Sequence, residues 1–417
     1  MVSSPSYRST NQSISMKTLL QINAACNYGS TGRIAENIGL LAQNQGWKCY
    51  IAHGTRYVKQ TQLCDICTET SWGERMHALR SFLLDEHGLG SKQATLLLIR
   101  KIQQISPDII HLHNIHGYYL NYPLLFNFLS TTNIPIVWTL HDCWPITGHC
   151  TYFNRIHCDK WKTYCDKCPQ LKAYPKSLIR DNSANNYSLK RELFLSVKQH
   201  LHLIPVSDWL MNILNHSFLN DVPMTRIHNG VDLTIFTPQI QVDPKKKSFT
   251  ILGVASSWGM RKGYDDFIKL RKLLPDSYSI MMIGLAKDQI RNLPNGIIGI
   301  ERTDSIAQLA ALYSSANVFF NPTWEDNFPT TNIEALACGT PVITYRTGGS
   351  IEAISEDTGF VVEQGDLHAA IDLMNVIKNN GKDFYTMKCR ERATKYFNKD
   401  ISFQRYIDLY NKLIDKQ

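Results

Sequence analysis

The chain has 417 residues, 43% of them hydrophobic and 19% charged, with a formal net charge of +8. That length is too great for one ordinary core and calls for two domains, and no apolar run is long enough to cross a bilayer as a helix. The charge is lopsided, with 22 Lys/Arg against 15 Asp/Glu in residues 1–237 and 22 against 21 in residues 238–417, so an anionic partner belongs to the first half.

Residues 1–15 (MVSSPSYRSTNQSIS) are polar and Ser-rich. They read as a disordered tail without the apolar segment of a secretion signal, which favours a cytoplasmic protein and leaves Met16 as an alternative start. Leu19–Ile22 reads as a short buried strand, followed by the glycine turn Gly29-Ser30-Thr31-Gly32 and a helical pattern over Ile34–Gln43. Strand patterns recur at Lys48–Ala52, Ile109–Leu112, Ile134–Leu140 and Leu203–Val206, with helical stretches between them. Such alternation predicts an α/β fold with a parallel sheet.

A turn at Asn229-Gly230 and a charged break at Asp243–Lys247 separate the halves. The same grammar then restarts with strands at Phe249–Val254, Ser279–Ile283, Val318–Asn321 and Val342–Tyr345. The predicted organisation is a tail (1–15), a first Rossmann-like domain (16–237) carrying a Cys-rich insert (143–180), a second Rossmann-like domain (238–398) and a final helix (399–417). In the last segment Phe403, Tyr406, Ile407, Tyr410, Leu413 and Ile414 recur at helical spacing.

The chemistry-bearing residues cluster where strands end. Pro322 to Pro341 follows a strand and opens a helix, so the amides near Thr330 and Thr331 are placed to meet phosphate oxygens. Glu334, one turn in, is suited to a ribose hydroxyl pair; the plainer alternative is an acidic residue complementing the helix dipole. His141 ends a strand, where ligands gather in open α/β sheets, with Asp142 beside it to orient the ring. His111, His113 and His116 raise a triple-histidine metal site, which strand alternation argues against. Cys150, Cys158, Cys165 and Cys168 lie within nineteen residues. They read either as four thiolates of a structural zinc stapling a coreless insert or as unrelated buried thiols. Arg155–Lys198 holds ten basic and four acidic residues, suited to an anionic acceptor or lipid surface or else simply a solvated loop face. No nucleic-acid-binding signature accompanies it.

Asp326 and Glu334 are separated by seven positions and lead into Ala335-Leu336-Ala337-Cys338-Gly339-Thr340-Pro341-Val342. In this the chain resembles the retaining GT-B glycosyltransferases, whose signature is two acids at that spacing followed by Ala-x-Ala-x-Gly-x-Pro-Val. Thr347-Gly348-Gly349-Ser350-Ile351-Glu352 resembles the family's Gly-Gly-x-x-Glu loop. The resemblance implies two Rossmann-like domains with a donor cleft between them and a last helix crossing back to the first domain. It implies transfer from a nucleotide-diphosphate sugar to a glycan or polyprenyl-diphosphate-linked acceptor, with peripheral contact at the inner membrane and no cofactor for the chemistry.

By position it assigns His141, Asp326 and Lys262 to the transferred sugar and its leaving group. It assigns Gly29, Gly32, Arg261, Asn327, Phe328, Pro329, Thr330, Thr331 and Glu334 to the nucleotide, with Glu301 and Arg302 near the base. Asp326 stands where the family more often has Glu, and Glu325 is a second candidate for that acid. Ser256-Ser257 replaces the usual arginine after the strand, leaving Arg261 as its substitute. A nucleotide-sugar epimerase of the same shape and a binding protein with a dead site are the rival readings.

Overall fold

The computed structural model describes residues 16–239 and 248–416; the tail 1–15 and the break Asp243–Lys247 lie outside them. Each half is built on a six-stranded parallel sheet. In the first, the spatial order is Cys64–Cys67, Lys48–His53, Thr18–Ile22, Ile109–Leu112, Ile136–Leu140, Leu201–Pro205. In the second it is Ile297–Ile300, Tyr278–Ile283, Phe249–Val254, Val318–Asn321, Val342–Tyr345, Gly359–Val362. Both are the doubly wound order 3-2-1-4-5-6, and both therefore have a topological switch point between first and fourth strands, where a crevice opens.

The central strands are buried along their whole length, as in Ile109–Leu112, Ile136–Leu140 and Val342–Tyr345, because helices cover both faces. That is why their apolar runs stand out in the sequence. Two edge strands are less covered: Cys64–Cys67 is largely exposed and Ile297–Ile300 only partly covered, and the sequence reading does not include either. The helix after the first strand starts at Gly29, not Ile34, so the glycine turn is the helix's own first turn.

Two chain crossings join the halves. Gly230 packs against the backbone of Lys399, which a Cβ at 230 would meet at 2.3 Å, and Val231 N donates to Phe397 O at 2.7 Å. Helix Lys399–Ile414 then lies on helix Gly29–Asn44, its Phe403, Tyr406, Ile407 and Tyr410 sharing one apolar cluster with Ile34, Ile38 and Ala42. Tyr410 Oη reaches His111 Nδ1 at 2.6 Å, and Tyr406 accepts from Thr139 at 3.4 Å.

The insert is not coreless as its length suggests. Phe153 and Trp161 stack at 4.8 Å and join Trp144 in the first domain's core. Buried Lys190 ties it down, Nζ donating to Trp144 O at 2.8 Å and Thr147 O at 2.9 Å with the Trp144 ring 3.4 Å away. Among the described residues no helix is long and apolar enough to cross a membrane.

Candidate functional site

The two switch points face each other across the domain boundary. In the second domain, the loop after Phe249–Val254 carries Arg261 and Lys262, and the loop after Val318–Asn321 carries Glu325 and Asp326. They interlock closely: Trp324 N donates to Arg261 O at 2.8 Å, and Arg261 Nη1 to Glu325 O at 2.9 Å. Gly263 takes φ +74° with Pro322 O only 2.3 Å from where a Cβ would sit, so only glycine lets these loops meet. Lys262 Nζ then lies 2.5 Å from Asp326 Oδ2, with little of either side chain exposed.

Burial raises the Asp326 carboxyl, but Lys262 and Arg261 outweigh burial and hold it below the usual carboxylate range. Burial pulls the Lys262 ammonium down, Asp326 opposes that, and Arg261 adds to it. Asp326 shifts down because two cations share its carboxylate, whereas the Lys262 shift is led by burial. The local excess is positive, which suits an anionic ligand.

Glu325 serves elsewhere. Its Oε1 accepts from Arg155 N of the insert at 3.2 Å, and burial raises its carboxyl against the pull of Arg155 and Arg261. Tyr152 of the same insert lies under the Arg261 guanidinium at 5.3 Å. Of the adjacent acids, Asp326 is the one that meets Lys262, and Glu325 joins the insert to the second domain.

Helix Thr330–Ala337 opens behind Pro329 with no side chain capping it. Glu334 is buried on it, accepting from Tyr313 Oη at 3.1 Å. Burial raises its carboxyl, opposed by the charge of Arg33 and by hydrogen bonds from Tyr313 and Thr330. Arg33 comes from the first domain, where its Nε bonds Gly29 O at 3.0 Å, so the glycine turn and Glu334 face each other across the cleft. Gly29 has φ +64° with open space beside it, whereas Gly32 is buried against Ala25 and Asn27.

The side chains of Asn327 and Phe328 are engaged at the domain boundary. Asn327 Oδ1 accepts from Ser207 Oγ at 2.5 Å and its Nδ2 reaches Leu140 O at 3.4 Å. Phe328 stacks on His228 at 4.5 Å. Both hold the domains together, as does Glu352, which accepts from the amides of Asp208 and Trp209 at 2.8 Å and from His228 at 2.9 Å. Glu301 and Arg302 are exposed beyond the edge strand Ile297–Ile300.

Asp142 does not orient His141. Its two oxygens are taken by His116 Nε2 and Trp144 N, each at 2.9 Å. His113 holds His141 instead, Nδ1 to Nε2 at 3.2 Å with the rings stacked. Two bonds set the direction of that contact. Gln21 Nε2 donates to Ala35 O at 2.8 Å, which turns Gln21 Oε1 toward His113 Nε2 at 3.1 Å. An amide oxygen only accepts, so His113 carries its proton on Nε2 and accepts at Nδ1 from His141 Nε2–H. Burial keeps His141 neutral, pulling its pKa down to about 4, so its Nδ1 remains an acceptor. His111 and His113, two apart, share a sheet face with centroids 3.9 Å apart. The imidazoles are nonetheless spent on separate partners, and no three-histidine cluster forms.

Among the described residues the one set of three metal-type ligand atoms within 4.8 Å of one another is Asp208, His228 and Glu352; His228 and Glu352 pair with each other at 2.9 Å and the Asp208 carboxylate accepts from Arg226 Nε at 2.8 Å. Cys150, Cys158, Cys165 and Cys168 do line one small cavity of about 10 Å³. No three of their sulfurs come within 4.8 Å. Cys150 and Cys168 are hydrogen-bonded, which lowers the Cys168 thiol to about 7.

Of the site residues, Arg33, Tyr313 and Gln21 escaped the sequence reading, and His113 enters it only as a candidate metal ligand. A signal existed for His113, which follows a buried strand directly, but not for the others.

Known proteins resemble this chain in sequence and in fold. A family model described as Glycosyltransferase Family 4 matches residues 43–235, and one described as Glycosyl transferases group 1 matches residues 248–379. The putative colanic acid biosynthesis glycosyl transferase WcaC of Escherichia coli K12 is 26% identical over 279 residues, 64% of this chain and 67% of that protein. The O-antigen chain mannosyltransferase RfbU of Salmonella typhimurium is 24% identical over 290 residues, 62% of this chain and 79% of that protein. In fold, sucrose-phosphate synthase from Thermosynechococcus elongatus superposes with a TM-score of 0.70 at 17% identity, covering 96% of this chain and all of that one. Anabaena HepE in complex with UDP-glucose gives 0.64 at 12% identity, covering 95% and 99%.

Proposed function

The chain belongs to the GT-B glycosyltransferases of group 1 and family 4, and from that premise we propose that it moves a sugar from a nucleotide-diphosphate sugar to a glycan or lipid-linked acceptor in bacterial surface polysaccharide synthesis, with the anomeric configuration retained. The observation that carries this reading is the Lys262–Asp326 pair at the second switch point, in the domain whose Glu334 feels the charge of Arg33 from across the cleft. The relatives named for colanic acid and O-antigen assembly support the polysaccharide setting, and the cytoplasmic face of the inner membrane is the place it implies.

In this mechanism the diphosphate draws Lys262 from Asp326, and the amides at Thr330 and Thr331 meet its oxygens. Glu334, held by Tyr313, takes the ribose hydroxyls. His141 accepts a hydrogen bond from a donor-sugar hydroxyl at Nδ1, and Asp326, released from Lys262, faces the sugar. As the bond from the anomeric carbon to the phosphate oxygen breaks, positive charge develops on the ring and negative charge on the diphosphate, the latter neutralised by Lys262 and Arg261. The acceptor oxygen attacks from the same face and its proton passes to the departing phosphate oxygen, so no side chain acts as base.

The reading also retains one structural zinc for the insert, its four thiols drawn together by the ion. Metal analysis tests this: about one zinc per chain, absent from Cys165→Ser/Cys168→Ser, is expected, and a metal-free stable protein would end it. For the donor, thermal melting of the purified chain with UDP-, GDP- and dTDP-sugars is decisive. One of these raises the melting point if the reading holds; a flat response to all three classes refutes it.

A further inference from the structure

The first domain carries an apolar face that its own core leaves open. Helix Ser71–Leu84 buries Glu74, His77 and Ser81 and turns Trp72, Met76 and Leu79 outward, 70%, 41% and 47% exposed. Spacings of four and three residues place these three on one side of the helix. The end of the Cys-rich insert runs along its last turn, Leu178 N donating to Phe82 O at 2.7 Å and Arg180 N to Leu83 O at 3.1 Å. Leu178 and Ile179, 63% and 73% exposed, thereby extend the same surface. Five large apolar side chains left in water on two adjoining segments mark a contact surface rather than scattered exposure.

The exposed charges around it are mainly cationic. Arg75, Lys176 and Arg180 are exposed, and the Lys176 ammonium lies 5.6 Å over the Phe82 ring. The nearby acids are engaged: Glu74 is buried facing Arg56 and Thr55, Glu86 is paired with Arg80 at 2.5 Å, Asp181 accepts from the amides of Cys168 and Ser183, and Glu69, half-buried, accepts from Thr70 N at 2.8 Å. Apolar tips with a tryptophan, fringed by more free cations than free carboxylates, match the interface of an anionic bilayer. The same segment leads to the cleft. Tyr174, four residues before Leu178, sets its hydroxyl 3.4 Å from His116 Nδ1, and His116 holds the Asp142 that adjoins His141.

We propose that this face docks on a bilayer of anionic phospholipid, so that an amphiphilic acceptor resting in the bilayer presents its sugar-bearing head at the His116–Asp142 side of the cleft. The acceptor half of this inference rests on the transferase reading; the docking half does not.

The full chain is sedimented with vesicles of phosphatidylglycerol and phosphatidylethanolamine and, separately, with phosphatidylcholine alone. Binding to the anionic vesicles only, weakened by salt, is expected. Leu178→Ser/Ile179→Ser should bind at least ten-fold more weakly while its melting shift with nucleotide sugar stays that of the wild type. Brominated lipid should quench the wild-type tryptophan emission, and Trp72→Phe, which still binds, should lose that quenching. Absent binding to anionic vesicles, or equal binding by the double variant, overturns the proposal. So does a wild-type dimer that the double variant converts to monomer, since a second copy would then own the face. Failure of every nucleotide sugar to shift melting, with vesicle binding intact, would refute the transferase reading instead.

Discussion

Replacing His113 by leucine tests the hydrogen-bond chain behind His141. His113 makes two bonds, to Gln21 Oε1 at 3.1 Å and to His141 Nε2 at 3.2 Å, and is 1% exposed. Leucine fills most of the volume but leaves the Gln21 oxygen and the His141 N–H without partners, at about 1–3 kcal/mol each. The folded state should therefore lose roughly 2–6 kcal/mol in urea denaturation. More telling is the tautomer, because His141 is then free to move its proton to Nδ1 and present a donor where the sugar hydroxyl needs an acceptor. That exchange should lower kcat/KM about 10–100-fold, equivalent to ~1.4–2.7 kcal/mol. His113→Gln restores one donor and one acceptor and should recover part of the loss, which a purely structural role would not predict. Imidazole 15N shifts read the state directly: wild-type His141 should be neutral with its proton on Nε2 from pH 6 to 8. A wild-type His141 protonated on Nδ1, or a His113→Leu enzyme with unchanged kcat/KM, would refute the reasoning.

The adjacent acids should separate in kinetics: Asp326→Asn loses about 100-fold or more in kcat, while Glu325→Gln, whose carboxylate meets Arg155 N, stays within about ten-fold. Glu334→Ala should abolish the melting shift with nucleotide sugar, and Tyr313→Phe, which removes one 3.1 Å bond to Glu334, should raise donor KM more than it lowers kcat. Gly263→Ala, forced to φ +74° against Pro322 O, should cost about 1–3 kcal/mol, read as a lower melting temperature. Burial drops both His77 and His141 to about 4. Between pH 6.5 and 4 the unfolded chain therefore binds protons that the folded one does not, and stability falls as pH falls, by up to about 1.4 kcal/mol per unit for each histidine. Urea midpoints that are equal at pH 7 and pH 5.5 would contradict this.

The sequence by itself determined the alternation of strands and helices, because fully buried parallel strands are continuous apolar runs and Val318–Asn321 and Val342–Tyr345 could be read residue for residue. It also determined that Asp326 and Glu334 bracket a helix start, since that relation is local. Only the tertiary structure decided which acid meets Lys262, because the two loops are 64 residues apart and interlock through Gly263 and Pro322. It decided likewise that Asn327 and Phe328 clasp the domains, that His113 rather than Asp142 aims His141, and that Arg33 faces Glu334. These contacts join ends of different strands across two switch points. Residue spacing encodes the period of one element and the face it buries, but which loops converge depends on strand order and chain crossing, and these arise only when the two sheets and the returning helix pack together.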